Sequence, residues 1–245
     1  MTAVLTVLVP VLNRPHRVRP LLRNLRESVV PDSVEILFLA NDSDMEEINA
    51  LKEAGSSYVA LPDAQISWAS KINEGFRRTK TPYCLLGADD IEFSFDWYEA
   101  MKPFLSDATP GGGVIGTSDG SGRLDIHSAH PIVSRRYVEH YGTFDQIGLV
   151  VHEGYRHWCP DTELCETAIL RNEYKSVPSC VLFHRHFLRG APMDSTYALG
   201  QSFVERDRHL FVRRMTAMYK QFGCEERTSL MRSWIPESTL RSMDG

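Results

Sequence analysis

The sequence predicts an α/β fold, on three observations. Over about the first ninety residues, short β-branched apolar runs alternate with segments of helical periodicity. Polar residues gather where those runs end, the place at which open α/β sheets take their ligands. No Pro-, Ser- or Gly-rich linker divides the 245 residues, so 1–245 reads as one domain.

The elements follow in order. "LTVLVPVLN" (5–13) is a buried strand stopped by Pro10 and followed by a loop. Pro20 suits the first turn of a helix with Val18, Leu21, Leu22, Leu25 and Val29 on its apolar side. "VEILFLAND" (34–42) is a second strand with a polar end. Asp44 with Glu47 three residues on forms a capping box, and Gly55 stops the helix, which predicts a helix over 45–54. A short strand at 57–61 and a helix at 67–79 follow, the helix carrying Trp68, Ile72 and Phe76 on one stripe. Pro82 separates it from the strand "YCLLG".

After residue 100 the alternation breaks. "PGGGVIGTSDGSG" (110–122) is a glycine-rich loop around a short strand, without the Lys and Ser/Thr of a phosphate-cradling loop, and reads as structural. Helices are predicted at 133–142, toward the end of 152–172, and at 201–222, the last burying Phe203, Leu210, Phe211, Met215 and Met218. A strand at 179–187 ends in "FHRHF", whose His184 and His186 share a face because the side-chain period of a strand is two.

Composition excludes several classes. Hydrophobic residues make up 42% and charged residues 24%, as in a folded soluble domain rather than a disordered chain. The apolar runs fall far short of the roughly 20 residues of a membrane span, and no signal pattern opens the chain, which predicts a cytoplasmic protein. Five scattered cysteines without a CxxC pair fit reduced thiols. A net charge of −5 opposes coating of nucleic acid, although Arg14, Arg17, Arg19, Arg23 and Arg26 cluster, either to meet phosphates or as a solvated helix face.

The chemistry concentrates at "CLLGADDIEF" (84–93), where a buried run ends in Asp89 and Asp90. Adjacent carboxylates repel and raise each other's pKa unless a cation or a set of donors stands between them. The pair is therefore a metal site or a turn. "HWCPDTELC" (157–165) places Asp161 and Glu163 where they serve either as a base or, for Asp161, as a helix cap. A zinc site from His152, His157, Cys159, Cys165 and His184 has no recurring spacing behind it.

In this order the features resemble the glycosyltransferases of the GT-A fold, and within them the family 2-like group, of the compact phage-encoded or bacterial kind. The match runs through "TVLVPVLNRP", "FLANDSD", "KINEG" and "LLGADDIEF", with departures: Asn41 precedes Asp42 where two acids are usual, Gly87 stands where the first acid of Asp-x-Asp lies, and Pro160 replaces an acid before Asp161. The resemblance implies a Rossmann-like nucleotide-binding half with a mixed central sheet over 1–100 and an acceptor-side, catalytic half with C-terminal helices over 101–245. It implies donor contacts from Pro10, Val11, Asn13, Arg14, Asn41, Asp42, Lys71, Asn73 and Asp89. Asp89, Asp90, His184 and His186 become candidate ligands of Mn2+ or Mg2+, and Asp161, with Glu163 in reserve, the catalytic base. A divalent cation held by carboxylates would neutralise the diphosphate that leaves.

The activity so implied is metal-dependent, inverting transfer of a sugar from a nucleotide-diphosphate donor, UDP-sugar favoured, to an acceptor hydroxyl. The acceptor is a modified DNA base, a virion protein or a glycan precursor, and a homo-oligomer is compatible with the chain. Two other readings stand beside it: a nucleotidyltransferase, which lacks its Gly-rich phosphate loop here, and a nucleotide-sugar-binding module without turnover, which the Gly87 and Pro160 departures favour.

Overall fold

A computed structural model of the chain describes residues 3–29, 32–63, 67–106, 109–121 and 127–229. Its frame is one eight-stranded sheet with helices on both faces. The strands are β1 (Leu5–Pro10), β2 (Val34–Asn41), β3 (Tyr58–Leu61), β4 (Tyr83–Leu86), β5 (Ile91–Phe93), β6 (Val114–Ser118), β7 (Ile132–Ser134) and β8 (Tyr174–His184). The helices are α1 (Pro15–Ser28), α2 (Met45–Glu53), α3 (Trp68–Arg78), α4 (Trp97–Met101), α5 (Arg135–His140), α6 (Pro160–Leu170), α7 (Ser195–Ser202) and α8 (Val204–Phe222).

The sheet runs β3-β2-β1-β4-β7-β6-β8-β5. Its first four strands are parallel, while β7 is antiparallel to both β4 and β6 and β5 is antiparallel to β8. This is the mixed sheet expected of the GT-A fold. Period-two alternation on β1 sends Leu5, Val7 and Val9 into one core with Val18, Leu21, Leu25 and Leu51. Leu8 joins the opposite core with Ile72, Phe76, Phe211 and Met215.

Local chemistry explains the ends of the elements. Ser67 caps α3 by accepting the Ser70 N–H at 3.0 Å, and Ser134 caps α5 by accepting that of Tyr137 at 3.1 Å. The latter cap corrects the helix expected over 133–142: its first two residues belong to β7. Helix α1 starts at Pro15, not Pro20, which lies inside the helix. Strand β8 starts well before residue 179, but its pairing with β6 jumps from Thr117↔Val177 to Ser118↔Val181. Pro178, which has no N–H to give, lies within that irregularity and hid the strand. The helix expected at 201–222 is α8, which starts at Val204; residues 201 and 202 close a separate helix, α7, capped by Asp194 through the Tyr197 N–H at 2.9 Å. All five cysteines are free. Among the described residues no helix is long and apolar enough to cross a membrane.

Candidate active site

The sequence delivers the two carboxylates by a tight strand exit. Gly87 donates its N–H to the Leu8 carbonyl at 2.8 Å, and a Cβ there would stand 2.9 Å from that same oxygen. Any side chain at this position would force the backbone to shift, which fits a glycine where the resemblance expects an acid. The chain then turns Asp89 and Asp90 inward, 8% and 6% exposed. Pairing of β5 with β8 sets Ile91 opposite His184, and so brings the histidine strand end beside Asp90.

Cationic and hydrogen-bonding groups surround the pair. Asp89 Oδ1 accepts from the Arg14 guanidinium at 2.8 Å, with Arg17 at 3.7 Å. Asp90 Oδ2 accepts from the Tyr197 hydroxyl at 2.7 Å and lies 3.4 Å from His184 Nε2. Burial, and then the neighbouring Asp90, raise the Asp89 pKa, although Arg14 opposes the rise. Burial pushes Asp90 the same way, but the contacts with His184 and Tyr197 more than reverse it and hold it below the usual carboxylate range. Arg14 also donates twice to Asp194, at 2.9 Å each, and lies over the Tyr197 ring at 3.9 Å. The arginine cluster of the sequence is thus divided: Arg14 and Arg17 turn to the acids, while Arg19, Arg23 and Arg26 are exposed.

A cavity of about 330 Å³ opens over these groups, lined among others by Pro10, Val11, Lys71, His130, Trp158 and Asp161. Asp161 reaches it from the first turn of α6, which Cys159 opens with a left-handed φ of 73° and Pro160 continues. Burial raises the Asp161 pKa above the ordinary carboxylate value. Glu163 does not line the cavity. It is 3% exposed, accepts the Tyr155 hydroxyl at 2.6 Å, and is gripped by Arg214 at 2.8 Å, a structural partner rather than an available base.

The other expected donor residues separate. Lys71, 2% exposed, gives its ammonium to the Val11 carbonyl at 2.8 Å at the cavity wall, and burial lowers its pKa to about 8. Asn73 stands off the cavity: its Oδ1 accepts the N–H groups of Val150 and Val151 at 2.9 and 3.2 Å, and its Nδ2 donates to the Val151 carbonyl at 2.8 Å. Asn41 is buried and donates to Asp63 at 3.3 Å, its Oδ1 having no partner among the described residues. Asp42 and Asn13 are exposed beside it, Asn13 with φ 54° and its N–H on Asp44 at 2.7 Å. The capping box is half made, since Glu47 turns from Asp44 to the Arg14 N–H at 2.8 Å.

His130 was not legible as a site residue. It is 5% exposed, its Nδ1 faces the Leu86 carbonyl at 3.0 Å, and its ring meets that of His184 at 4.6 Å. Its Nε2 is buried without a partner among the described residues. Burial, then His184, lower its pKa to about 3, so that nitrogen offers a lone pair. Trp68, Trp158 and Tyr197 are further cavity residues without a sequence signal.

Two carboxylates and the imidazoles of His130, His184 and His186 form an oxygen and nitrogen donor set that suits a divalent cation such as Mn2+. Among the described residues no three of these side chains converge as a closed cage. His186 accepts the Leu188 N–H through Nδ1 at 3.3 Å, and Asp89 is taken by Arg14. Asp90 and His184 stand together as a pair, and His130, whose buried Nε2 has no partner among the described residues, lines the same cavity. The set therefore fits a cation that takes its remaining oxygens from water and substrate phosphates.

A model of the family described as glycosyl transferase family 2 matches residues 6–159. No curated protein matches the chain in sequence. Among solved structures, a mannosyltransferase, PcManGT, from Pyrobaculum calidifontis, in complex with GDP-Man and Mn2+, superposes with a TM-score of 0.64 at 14% identity, over 96% of this chain and 72% of that one. TarS from S. aureus, in complex with UDP-GlcNAc, gives 0.58 at 10% identity, over 88% and 67%. Glucosyl-3-phosphoglycerate synthase from Mycobacterium tuberculosis, with Mn2+, UDP and glucosyl-3-phosphoglycerate, gives 0.52 at 13% identity, over 88% and 80%. At these identities the likeness is one of fold.

Proposed function

The chain belongs to glycosyl transferase family 2, and we propose that it transfers a sugar from a nucleoside-diphosphate donor to an acceptor hydroxyl with inversion, Asp161 acting as the base. The observation that carries this reading is that one cavity gathers the buried Asp89 and Asp90, the His184 strand end and the Asp161 carboxylate. We read 1–245 as one cytoplasmic catalytic domain, with the donor held by 1–100 and the acceptor by 101–245. UDP is the favoured nucleotide, as two of the structural neighbours carry UDP or a UDP-sugar.

In this reading Pro10, Val11 and Lys71 wall the nucleotide, and Arg14 and Arg17 turn from Asp89 toward the diphosphate as it enters. Asp89, Asp90 and His184 would hold Mn2+ or Mg2+, with His186 and His130 within the same cavity. When bound, that ion supplies positive charge against the departing diphosphate. Asp161 takes the acceptor hydroxyl's proton as its oxygen bonds to the anomeric carbon and the bond to the diphosphate breaks. Burial serves this step, because a carboxylate with a raised pKa is the stronger base.

A thermal-shift panel of UDP, GDP, CMP, dTDP, ADP and ATP, each with Mn2+, Mg2+ or chelator, tests the donor site without an acceptor. A ligand at a hundred times its Kd stabilises by about 2.7 kcal/mol. UDP with Mn2+ is expected to raise the Tm of the wild type and not of the Asp89→Asn/Asp90→Asn variant. Equal shifts in both proteins, or none in either, would overturn the reading.

A further inference from the structure

Between α5 and α6 the chain has no helix or strand, yet Arg156, His157, Trp158 and Cys159 form a wall of the cavity immediately before Asp161. Such a segment holds its place only if its backbone polar groups find partners. Three consecutive ones find the same partner. The carboxylate of Asp207, 0% exposed near the start of α8, accepts the N–H of Arg156 at 3.1 Å to each oxygen, of His157 at 2.7 Å and of Trp158 at 2.9 Å. The Arg206 guanidinium adds a contact at 2.9 Å and also donates to the Gly154 carbonyl at 2.9 Å.

Consecutive amides aimed at one anion form a concave nest, here closed by a side chain of the protein itself. Its neighbours brace it. The Trp68 N–H donates to the Arg156 carbonyl at 2.9 Å, and the Trp158 indole N–H to the Gly200 carbonyl at 2.9 Å. The next residue, Cys159, takes its left-handed turn and α6 begins, with Asp161 in its first turn.

We propose that Asp207 is a positioning residue for the transfer: by fixing the backbone of 156–158 it sets where the Asp161 carboxylate and the Trp158 wall stand in the cavity. This rests on the reading of Asp161 as the base. It differs from a purely structural role, in which Asp207 would only fasten α8 to the body of the domain.

Transfer to water from UDP-glucose, UDP-GlcNAc or GDP-mannose, whichever is turned over, gives a readout free of the acceptor. Asp207→Asn keeps the shape but loses an acceptor oxygen; kcat is expected to fall at least about tenfold with the donor KM within about twofold. If Asp207 acts through Asp161, the Asp161→Asn/Asp207→Asn double variant loses no more than Asp161→Asn alone. Unchanged kcat in Asp207→Asn, or losses that multiply in the double variant, would overturn the proposal. Asp161→Asn with wild-type turnover would instead overturn the assignment of the base. Amide exchange on the wild type needs neither activity nor a folded variant: Arg156, His157 and Trp158 should exchange as slowly as β1, and exchange at open-loop rates would sink the nest.

Discussion

In the proposed reading the cavity has a donor side and an acceptor side, and the two are built by different means. The donor side rests on strand ends and contiguous motifs: β1 runs into Pro10 and Val11, and β4 runs through Gly87 into Asp89 and Asp90. The acceptor side rests on single side chains that cross the molecule. Asn73 on α3 holds the backbone at 150–151, Asp207 on α8 holds that at 156–158, and Arg14 reaches Asp194 at a separation of 180 residues. The donor wall is thus fixed by the sheet, and the acceptor wall by a few polar contacts whose loss should be felt one at a time.

The sharpest way to test that division is Asp161→Asn. It removes the proposed base and leaves the donor side untouched, so kcat should fall ~10³-fold, or about 4 kcal/mol of barrier, at unchanged donor affinity. Steady-state transfer alongside UDP titration measures both. A parallel loss of UDP affinity would show that the two walls are not separable. The acid limb of the kcat profile should also lie above the ordinary carboxylate range, because burial raises the Asp161 pKa.

Asn73→Ala is next. Its side chain is 1% exposed, and its removal orphans two N–H groups and a carbonyl at Val150 and Val151. At about 1–3 kcal/mol for each buried group left unpaired, a loss of roughly 3 kcal/mol in a urea melt is expected. Donor KM should stay put if Asn73 only braces the acceptor wall. A rise in KM without loss of stability would return it to the donor contacts that its position in "KINEG" implied.

The donor side carries its own electrostatic cost. Burial raises Glu47 from 4.5 to about 7, and its Oε1 has no partner among the described residues. A group whose folded pKa is raised binds more protons in the native state, so its contribution to stability is full below pH 4.5 and is lost as pH rises through 7. Lys71, lowered from 10.5 to about 8, acts the other way, and stability returns as pH climbs from 8 to 10.5. The pair predicts a trough between about pH 7 and 8. Glu47→Gln should remove its acid side, gaining on the order of 2–3 kcal/mol at pH 7.5 and nothing at pH 4. Parallel stability curves for the two proteins would refute the assignment.

What the sequence showed follows the same division. The first four strands, the Asp44 cap and the Asp pair were legible because each is written in neighbouring residues: short apolar runs for β1 to β4, Asp44 before α2, and the buried run 84–86 before the acids. His130 and Tyr197 were not, since only the pairing of β4 with β7 and the docking of α7 bring them to Asp90 and His184. Glu163 looked like a base because nothing near it in sequence announces Arg214. Nothing near Asn73 in sequence announces its bonds to Val150 and Val151 either.

Asp194 lies on the boundary between the two kinds of construction, and its variants separate them. It caps α7 through the Tyr197 N–H, a local contact that "MDST" carries in the sequence, and it binds Arg14 across the fold. Asparagine caps a helix about as well as aspartate, whereas alanine costs about 1 kcal/mol. The step from Asp194→Asn to Asp194→Ala therefore measures the cap, and the step from wild type to Asp194→Asn measures the contact with Arg14. Amide exchange over 195–202 reads both. If wild type and Asp194→Asn protect α7 equally and only Asp194→Ala loosens it, the covering helix is held by its own cap. Protection lost already in Asp194→Asn would mean that α7 is held down by Arg14, the same residue that occupies Asp89. A donor diphosphate that draws Arg14 away would then loosen the acceptor side, and the two walls would be coupled through one guanidinium.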